Sequence, residues 1–243
     1  MSNLENIKNN WEKFGKEDPL WAVSAFKNHK GGKWNEEEFF QRGIDEIDMV
    51  MNHIKSLNVE LDYRKALDFG CGVGRLTQAI ARYYNTVDGV DIAQSMIDLA
   101  TKYNKFGDRV KYIFNCADDL HVLEGTAYDF IYTSDVLQHI DSKYSKAYLK
   151  GFIDHLSPKG LLVFQIPSED RRIIINYLYA KLGIHNYFGN IRGKLKSEPF
   201  MEYHYIKKEE VKNFIHNNNG RIVDIMNDPR GNVISYRYFV TKD

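Results

Sequence analysis

Apolar and polar positions change period along this chain, and the changes mark its elements. Between residues 35 and 56, Phe40, Ile44, Ile47, Val50, Met51 and Ile54 recur at three- and four-residue spacing, the stripe of a helix that buries one face. Asn35 followed by Glu38 is a capping box that starts it. From about Tyr63 the chain alternates short strand-like runs with helical stripes. Strands are expected from Lys65 and over Thr86–Asp91, Val110–Asn115 and Tyr128–Thr133. A nearly all-apolar run, Leu161–Ile166, reads as a fifth strand of the kind buried in parallel sheets. Between them Leu76, Ala79, Ile80 and Tyr83, then Met96, Leu99, Ala100 and Tyr103, mark two amphipathic helices. A third helix over Ser142–His155 is stopped by Ser157-Pro158-Lys159-Gly160. A last helix, Lys207–Asn218, and two closing strands, Arg221–Met226 and Val233–Thr241, end the pattern. It contains no internal repeat and no low-complexity stretch.

Composition narrows the classes. The 243 residues, 43% of them apolar, suit one large core with elaborations. Lys plus Arg equals Asp plus Glu at 33 each, so no global charge draws the chain to nucleic acid or an anionic membrane. No basic flank or apolar leader opens the sequence and no run reaches membrane-spanning length, so a cytoplasmic protein is expected. Cys71 and Cys116 are too few for a disulfide framework, and no Cys and His pairs at ligand spacing suggest a metal.

The chemistry sits between the first two strands of the alternating part. Leu67-Asp68-Phe69-Gly70-Cys71-Gly72-Val73-Gly74-Arg75 places a glycine hinge between strand and helix, and the next strand ends in the carboxylate of Asp91. This unit seats a nucleoside-bearing cofactor, with Asp91 placed to accept ribose hydroxyls. Asp68 at the strand end would repel a pyrophosphate and attract a cation, and Arg75 stands where a dinucleotide fingerprint needs a small residue. The segment resembles the class I S-adenosylmethionine-dependent methyltransferases. That resemblance covers about Tyr63 to Thr241. It implies a Rossmann-like α/β fold with a seven-stranded, mostly parallel sheet whose final strand enters antiparallel. It implies S-adenosylmethionine as cofactor and S-adenosylhomocysteine as product. Cofactor contacts would fall at Asp68, Gly70, Cys71, Gly72, Gly74, Asp91, Ile92 and Ser134. Relatives carry an acid after the third strand, where this chain has Cys116, so Asp118 or the backbone of Ala117 would meet the adenine.

Two segments lie outside the common core, and in such enzymes additions shape the substrate site. Residues 1–61 are expected to form a helical cap and 62–243 the catalytic domain. The cap either covers the sheet or closes as a lid, with Trp34, Phe39 and Arg42 over the methionine end of the cofactor. An insertion at 168–205 carries a helical stripe, Ile173, Ile174, Tyr177, Leu178 and Leu182. It also brings Arg171, Arg172, Arg192, Lys194 and Lys196, either a solvated face or recognition of an anionic group. After the fourth strand, Thr133-Ser134-Asp135-Val136-Leu137-Gln138-His139-Ile140 offers His139 as a base, and His204 is a second candidate.

Missing motifs set subclasses aside. The chain lacks the Asn/Asp-Pro-Pro-aromatic of amide and base N-methyltransferases, the Pro-Cys of cytosine C5 enzymes and the Asp-Asn pair of catechol-type metal sites. An oxygen acceptor remains, hydroxyl or carboxylate, on a small molecule or peptide. The additions loosely resemble enzymes that tailor natural products. The competing readings are a nicotinamide-dependent (NAD(P)) oxidoreductase and a non-catalytic cofactor-binding scaffold.

Overall fold

In a computed structural model of the protein, seven strands form one sheet in the order β3-β2-β1-β4-β5-β7-β6. The structure describes residues 3–170, 203–229 and 232–243. The amino-terminal part supplies α1 (Asn3–Glu17), α2 (Pro19–Val23) and α3 (Glu36–Ser56). Then come β1 (Lys65–Phe69), α4 (Arg75–Ile80), β2 (Thr86–Asp91), α5 (Gln94–Tyr103), β3 (Val110–Phe114) and β4 (Tyr128–Thr133). The chain finishes with α6 (Ser142–Asp154), β5 (Leu156–Asp170), α7 (Lys208–Asn217), β6 (Gly220–Asn227) and β7 (Val233–Lys242). β1 to β5 run parallel, and β7 lies antiparallel to both β5 and β6. This is the seven-stranded, doubly covered α/β sheet that the strand and helix alternation implies.

Period-two alternation decides which side chains meet which layer. On β1, Leu67 faces a core built with Tyr148, Leu149 and Phe152 of α6 and with Val211 and Ile215 of α7. Ala66 faces the other side, where Ile47, Val50, Met51 and Ile54 of α3 pack with Ala79 and Ile80 of α4. The apolar stripe of α3 therefore covers a face of the sheet. Asn35 caps α3 by accepting the backbone N–H of Glu38 at 3.0 Å. A third cluster joins Phe14, Ala22, Trp34 and Phe39 to Val73 behind the glycine loop and to Ala93 and Met96 at the start of α5.

Two boundaries differ from expectation. The Ser157–Gly160 segment does not end the third helix in a loop but lies within β5, as an irregularity in its pairing with β4 between Tyr128 and Phe130. Ser157 is buried there and donates to the buried Asp129 carboxylate at 2.7 Å, which draws the turn-like sequence into the sheet. β5 also runs to Asp170, because β7 pairs with it from Leu161 to that residue. The expected helix around Ile173 to Leu182 falls outside the described residues.

Candidate active site

The carboxyl ends of β1, β2 and β4 open onto a cavity of about 960 Å³. Its floor is the loop after β1, whose Gly70, Gly72 and Gly74 all have left-handed φ, at 76°, 52° and 83°. Side chains rarely tolerate that backbone. A Cβ on Gly70 would also overlap Val136, so the β1 and β4 loops approach one another only because that side chain is missing. Gly70, Cys71 and Gly72 line the cavity.

Asp91 and Ile92, at the end of β2, line the adjoining wall. Asp91 accepts the N–H of Gly72 at 2.8 Å on one oxygen and that of Ala93 at 2.9 Å on the other, so it ties the glycine loop to the start of α5. Burial pushes its carboxyl above the usual range, and the backbone donors oppose that. Asp68 lies deeper, 1% exposed and behind the cavity wall rather than on it. It accepts the Thr77 hydroxyl at 2.6 Å through one oxygen, while the other, Oδ1, has no hydrogen-bond partner. Burial pushes its carboxyl up to about 7, with Thr77 and Arg75 pulling the other way.

After β4 the backbone turns at Asp135, a non-glycine residue in the left-handed region with φ 59°. Gln165, fully buried on β5, accepts its N–H at 3.0 Å and holds the turn. Ser134, Asp135, Gln138 and His139 all reach the cavity wall. The Gln138 amide nitrogen stands 3.4 Å from Asp135 Oδ1 and 3.3 Å from His139 Nε2. With the amide in this orientation, the His139 lone pair lies on Nε2 and its proton on Nδ1. Trp11 packs edge-on against the His139 ring at 5.4 Å and Tyr203 at 5.0 Å. His204 is not on the wall; its N–H donates to the Gln138 carbonyl at 2.7 Å.

The adenine-side expectation meets a different arrangement. Ala117 and Asp118 are exposed and off the wall, and the Ala117 carbonyl accepts the Tyr148 hydroxyl at 2.6 Å. Asn115, just past β3, lines the cavity and braces this loop by accepting the Ala117 N–H and donating to the Asp119 carbonyl. Its position beyond the carboxyl end of a strand was the available signal. Of the expected lid residues, Trp34 and Phe39 are buried in the third core cluster. Trp34 stacks on His29 at 3.9 Å and donates to the Ser24 carbonyl at 3.1 Å. Only Arg42 of that trio reaches the cavity, over the Phe26 ring at 4.5 Å and beside Glu38 at 3.4 Å. Arg171, Arg192 and Lys194 lie outside the described residues.

Sequence reasoning allowed an amino-terminal lid but missed the residues that form this wall. Leu4, Ile7 and Trp11 of α1, and the segment from Ala22 to Phe26, form a wall of the cavity. α1 is held across the site. The Ser95 N–H and hydroxyl at the start of α5 each lie 3.1 Å from a Glu12 carboxylate oxygen. Val23 sits over Gly72, close enough that a Cβ there would come within 2.6 Å of it. Among the described residues no cluster of three or more His, Cys, Asp or Glu could hold a metal ion, and no helix is long and apolar enough to cross a membrane.

A parallel sheet with one antiparallel strand, a glycine loop after β1 and a carboxylate at the end of β2 define the class I methyltransferase fold. Residues 37–222 match a methyltransferase-domain family, and the chain belongs to that family. Its relatives include the mitochondrial ubiquinone biosynthesis O-methyltransferase of Dictyostelium discoideum, 24% identical over 187 residues, covering 70% of this chain and 53% of that protein. The ubiquinone biosynthesis O-methyltransferase of Coxiella burnetii is 28% identical over 126 residues, 51% of each protein. The matches thus span about half the length of these relatives. Magnesium protoporphyrin IX methyltransferase from Synechocystis, solved with bound S-adenosylhomocysteine, shares the fold with a TM-score of 0.66 at 16% identity over the whole of both chains. A methyltransferase from Leishmania major gives 0.65 at 17% identity, covering 99% of this chain and 87% of that one.

S-Adenosylmethionine is the cofactor of this family, and the site fits it. The glycine loop leaves room for close approach, Asp91 sits on the wall where ribose hydroxyls would be met, and Asp68 lies behind the loop with one oxygen unpartnered, so that a cationic cofactor there would favour its ionised form.

Proposed function

We propose that the protein methylates an oxygen of a small molecule, with a hydroxyl as the acceptor. One observation carries this reading: a single cavity runs from Asp91 and the glycine loop to His139 on its wall. S-Adenosylmethionine, when bound, supplies an electrophilic methyl group on a sulfonium centre. The chain's residues do the rest. Asp91 and the backbone of Gly70 to Gly72 hold the nucleoside end. Leu4, Ile7, Val136 and Ile140 give part of the wall an apolar surface that excludes water. Trp11 and Tyr203 keep the His139 ring in place, and His139 Nε2 exchanges its Gln138 contact for the acceptor hydroxyl and takes that proton as the new bond forms.

The described wall favours a hydroxyl over a carboxylate. Its two cations, Arg42 and Arg75, are each paired with a carboxylate, Glu38 and Glu46, and Asp45, Asp91 and Asp135 add further negative charge. An anionic acceptor would depend on Arg171, Arg192 and Lys194. The relatives named for ubiquinone biosynthesis are O-methyltransferases, which supports an oxygen acceptor and lends nothing to a natural-product role. Neither the oxidoreductase nor the scaffold reading draws support from the family. Residues 1–61 act as a cap whose first two helices close the site; most of the insertion expected at 168–205 lies outside the described residues.

The test is to incubate the protein with methyl-labelled S-adenosylmethionine and extract of its source cells, then treat the product with mild base. Label that stays on the product, located on oxygen by NMR, is the expected result. Release as methanol would mean a methyl ester and overturn the hydroxyl reading. His139→Ala should lower kcat about 100-fold while leaving cofactor affinity within a few-fold. Unchanged kcat would remove His139 as the base.

A further inference from the structure

Gln138 is 5% exposed, and what shows of it lies on the cavity wall beside His139. Its backbone is anchored, because its carbonyl accepts the His204 N–H at 2.7 Å. Its amide nitrogen faces Asp135 Oδ1 and His139 Nε2, at 3.4 and 3.3 Å. A carboxylate oxygen only accepts, so Asp135 keeps the nitrogen on its own side and the amide oxygen takes the other. That oxygen, Oε1, has no hydrogen-bond partner among the described residues, and it is not sealed off from the cavity. An amide oxygen in so buried a residue needs a donor, and the cavity is where one can come from.

The same demand for donors continues on α3. Gln41 and Asp45, four residues apart on an exposed face that lines the cavity, are joined by a hydrogen bond of 2.8 Å from the Gln41 amide nitrogen to Asp45 Oδ1. That bond occupies the donor end of Gln41. It leaves Gln41 Oε1 and Asp45 Oδ2 without partners among the described residues. Two large rings complete this end of the cavity. Phe26 is 48% exposed and Tyr203 49%, and both stand on the wall, Tyr203 with its ring centre 5.0 Å from that of His139. Exposed rings on a cavity wall offer apolar contact to a ligand. This end therefore combines oxygens that need donors with rings that need a C–H surface.

We propose that the substrate is a saturated ring bearing several hydroxyls, as in a sugar, and that it is methylated at one member of a vicinal diol. One hydroxyl meets His139 Nε2 and its neighbour donates to Gln138 Oε1. This rests on the reading of the cavity as an O-methyltransferase site and specifies its substrate. Oε1 belongs to the same amide group as the nitrogen that touches His139, so a hydroxyl placed on His139 brings the next carbon's substituent within reach of it. Gln41 and Asp45 receive further hydroxyls, and Phe26 and Tyr203 cover the ring's C–H face. A flat catechol would use the diol pair and the rings but leave Gln41 and Asp45 without a role. A site built to bind a hydroxyl discriminates strongly against a substrate that lacks it.

The experiment gives the protein methyl-labelled S-adenosylmethionine and extract of its source cells in three portions: untreated, oxidised with periodate, and oxidised then reduced with borohydride, with reagents removed each time. Periodate cleaves a saturated vicinal diol and turns a catechol into a quinone; borohydride returns the quinone to a catechol but leaves a cleaved ring open. Label transfer should fall at least about 10-fold after periodate and stay low after borohydride. Transfer that survives periodate, or that borohydride restores, would overturn the proposal. With untreated extract, Gln138→Leu should raise the apparent substrate KM about 10-fold while S-adenosylhomocysteine affinity stays within a few-fold. A loss confined to kcat would mean that Gln138 serves only His139, and the proposal would fall. Should Gln138→Leu not fold, the periodate result still decides, together with Gln41→Ala/Asp45→Ala at exposed positions, where an unchanged KM would count against it. If the untreated portion takes no label onto oxygen, the O-methylation reading itself fails and this proposal with it.

Discussion

Replacing Asp68 with Asn should make the ligand-free protein more stable at neutral and alkaline pH, by an amount that grows with pH up to about 7 and then levels off. The carboxyl is 1% exposed and burial raises it from 3.8 to about 7. About three pH units at 1.36 kcal/mol each put the cost of keeping Asp68 ionised near 4 kcal/mol. Between pH 3.8 and about 7 the folded protein holds a proton there that the unfolded chain has lost, so this group makes stability fall as pH rises, and the effect levels off above 7. Asn has nearly the same shape and can still accept the Thr77 hydroxyl, so the variant loses the charge and keeps the contact. Urea unfolding of both proteins from pH 4.5 to 8.5 gives the difference directly, and other titrations cancel in it. The stability gap should widen in favour of Asp68→Asn by about 3 kcal/mol and then flatten. The variant should also bind S-adenosylmethionine more weakly, because the carboxylate that burdens the empty fold favours a cation. A gap that does not change with pH would refute the argument.

The other predictions concern the walls of the site. Gly70→Ala must place a side chain at φ 76° and against Val136, so it should cost about 2 kcal/mol or more and abolish S-adenosylhomocysteine binding; thermal melts and calorimetry check both. Glu12→Ala removes the carboxylate that caps the start of α5. It should lower stability by about 1 kcal/mol and speed S-adenosylhomocysteine release several-fold in stopped-flow experiments, if α1 closes the cavity.

The parts of the site that were legible in the sequence are those in which neighbouring residues dictate the geometry. Three glycines between a strand and a helix mark a tight turn, and Asp91 ends the short stretch Thr86-Val87-Asp88-Gly89-Val90 that follows the next helical stripe. The stripe of α3 likewise announced a helix lying on a flat apolar surface. What was not legible depends on contacts between distant segments. Leu4, Ile7 and Trp11 share helical spacing, yet nothing local says that their face closes over His139, more than a hundred residues away. Trp34 is one candidate for a lid in the sequence, but the packing of His29 and Phe39 buries it. Asp68 was expected to touch the cofactor, and its depth follows from Thr77 and Arg75 on α4 folding over it. The Ser157-Pro158-Lys159-Gly160 stretch carries the local signature of a loop, and a buried hydrogen bond to Asp129 overrides it.

The central claim is that this cavity binds S-adenosylmethionine through the glycine loop and Asp91. Calorimetric titration of the purified protein and of Asp91→Ala with S-adenosylhomocysteine, with NADH as the control ligand, tests it most directly. The account predicts one-to-one binding of S-adenosylhomocysteine by the wild type, a loss of at least about 30-fold in a folded Asp91→Ala variant, and no binding of NADH. Binding of NADH in place of S-adenosylhomocysteine, or S-adenosylhomocysteine affinity indifferent to Asp91, would contradict it.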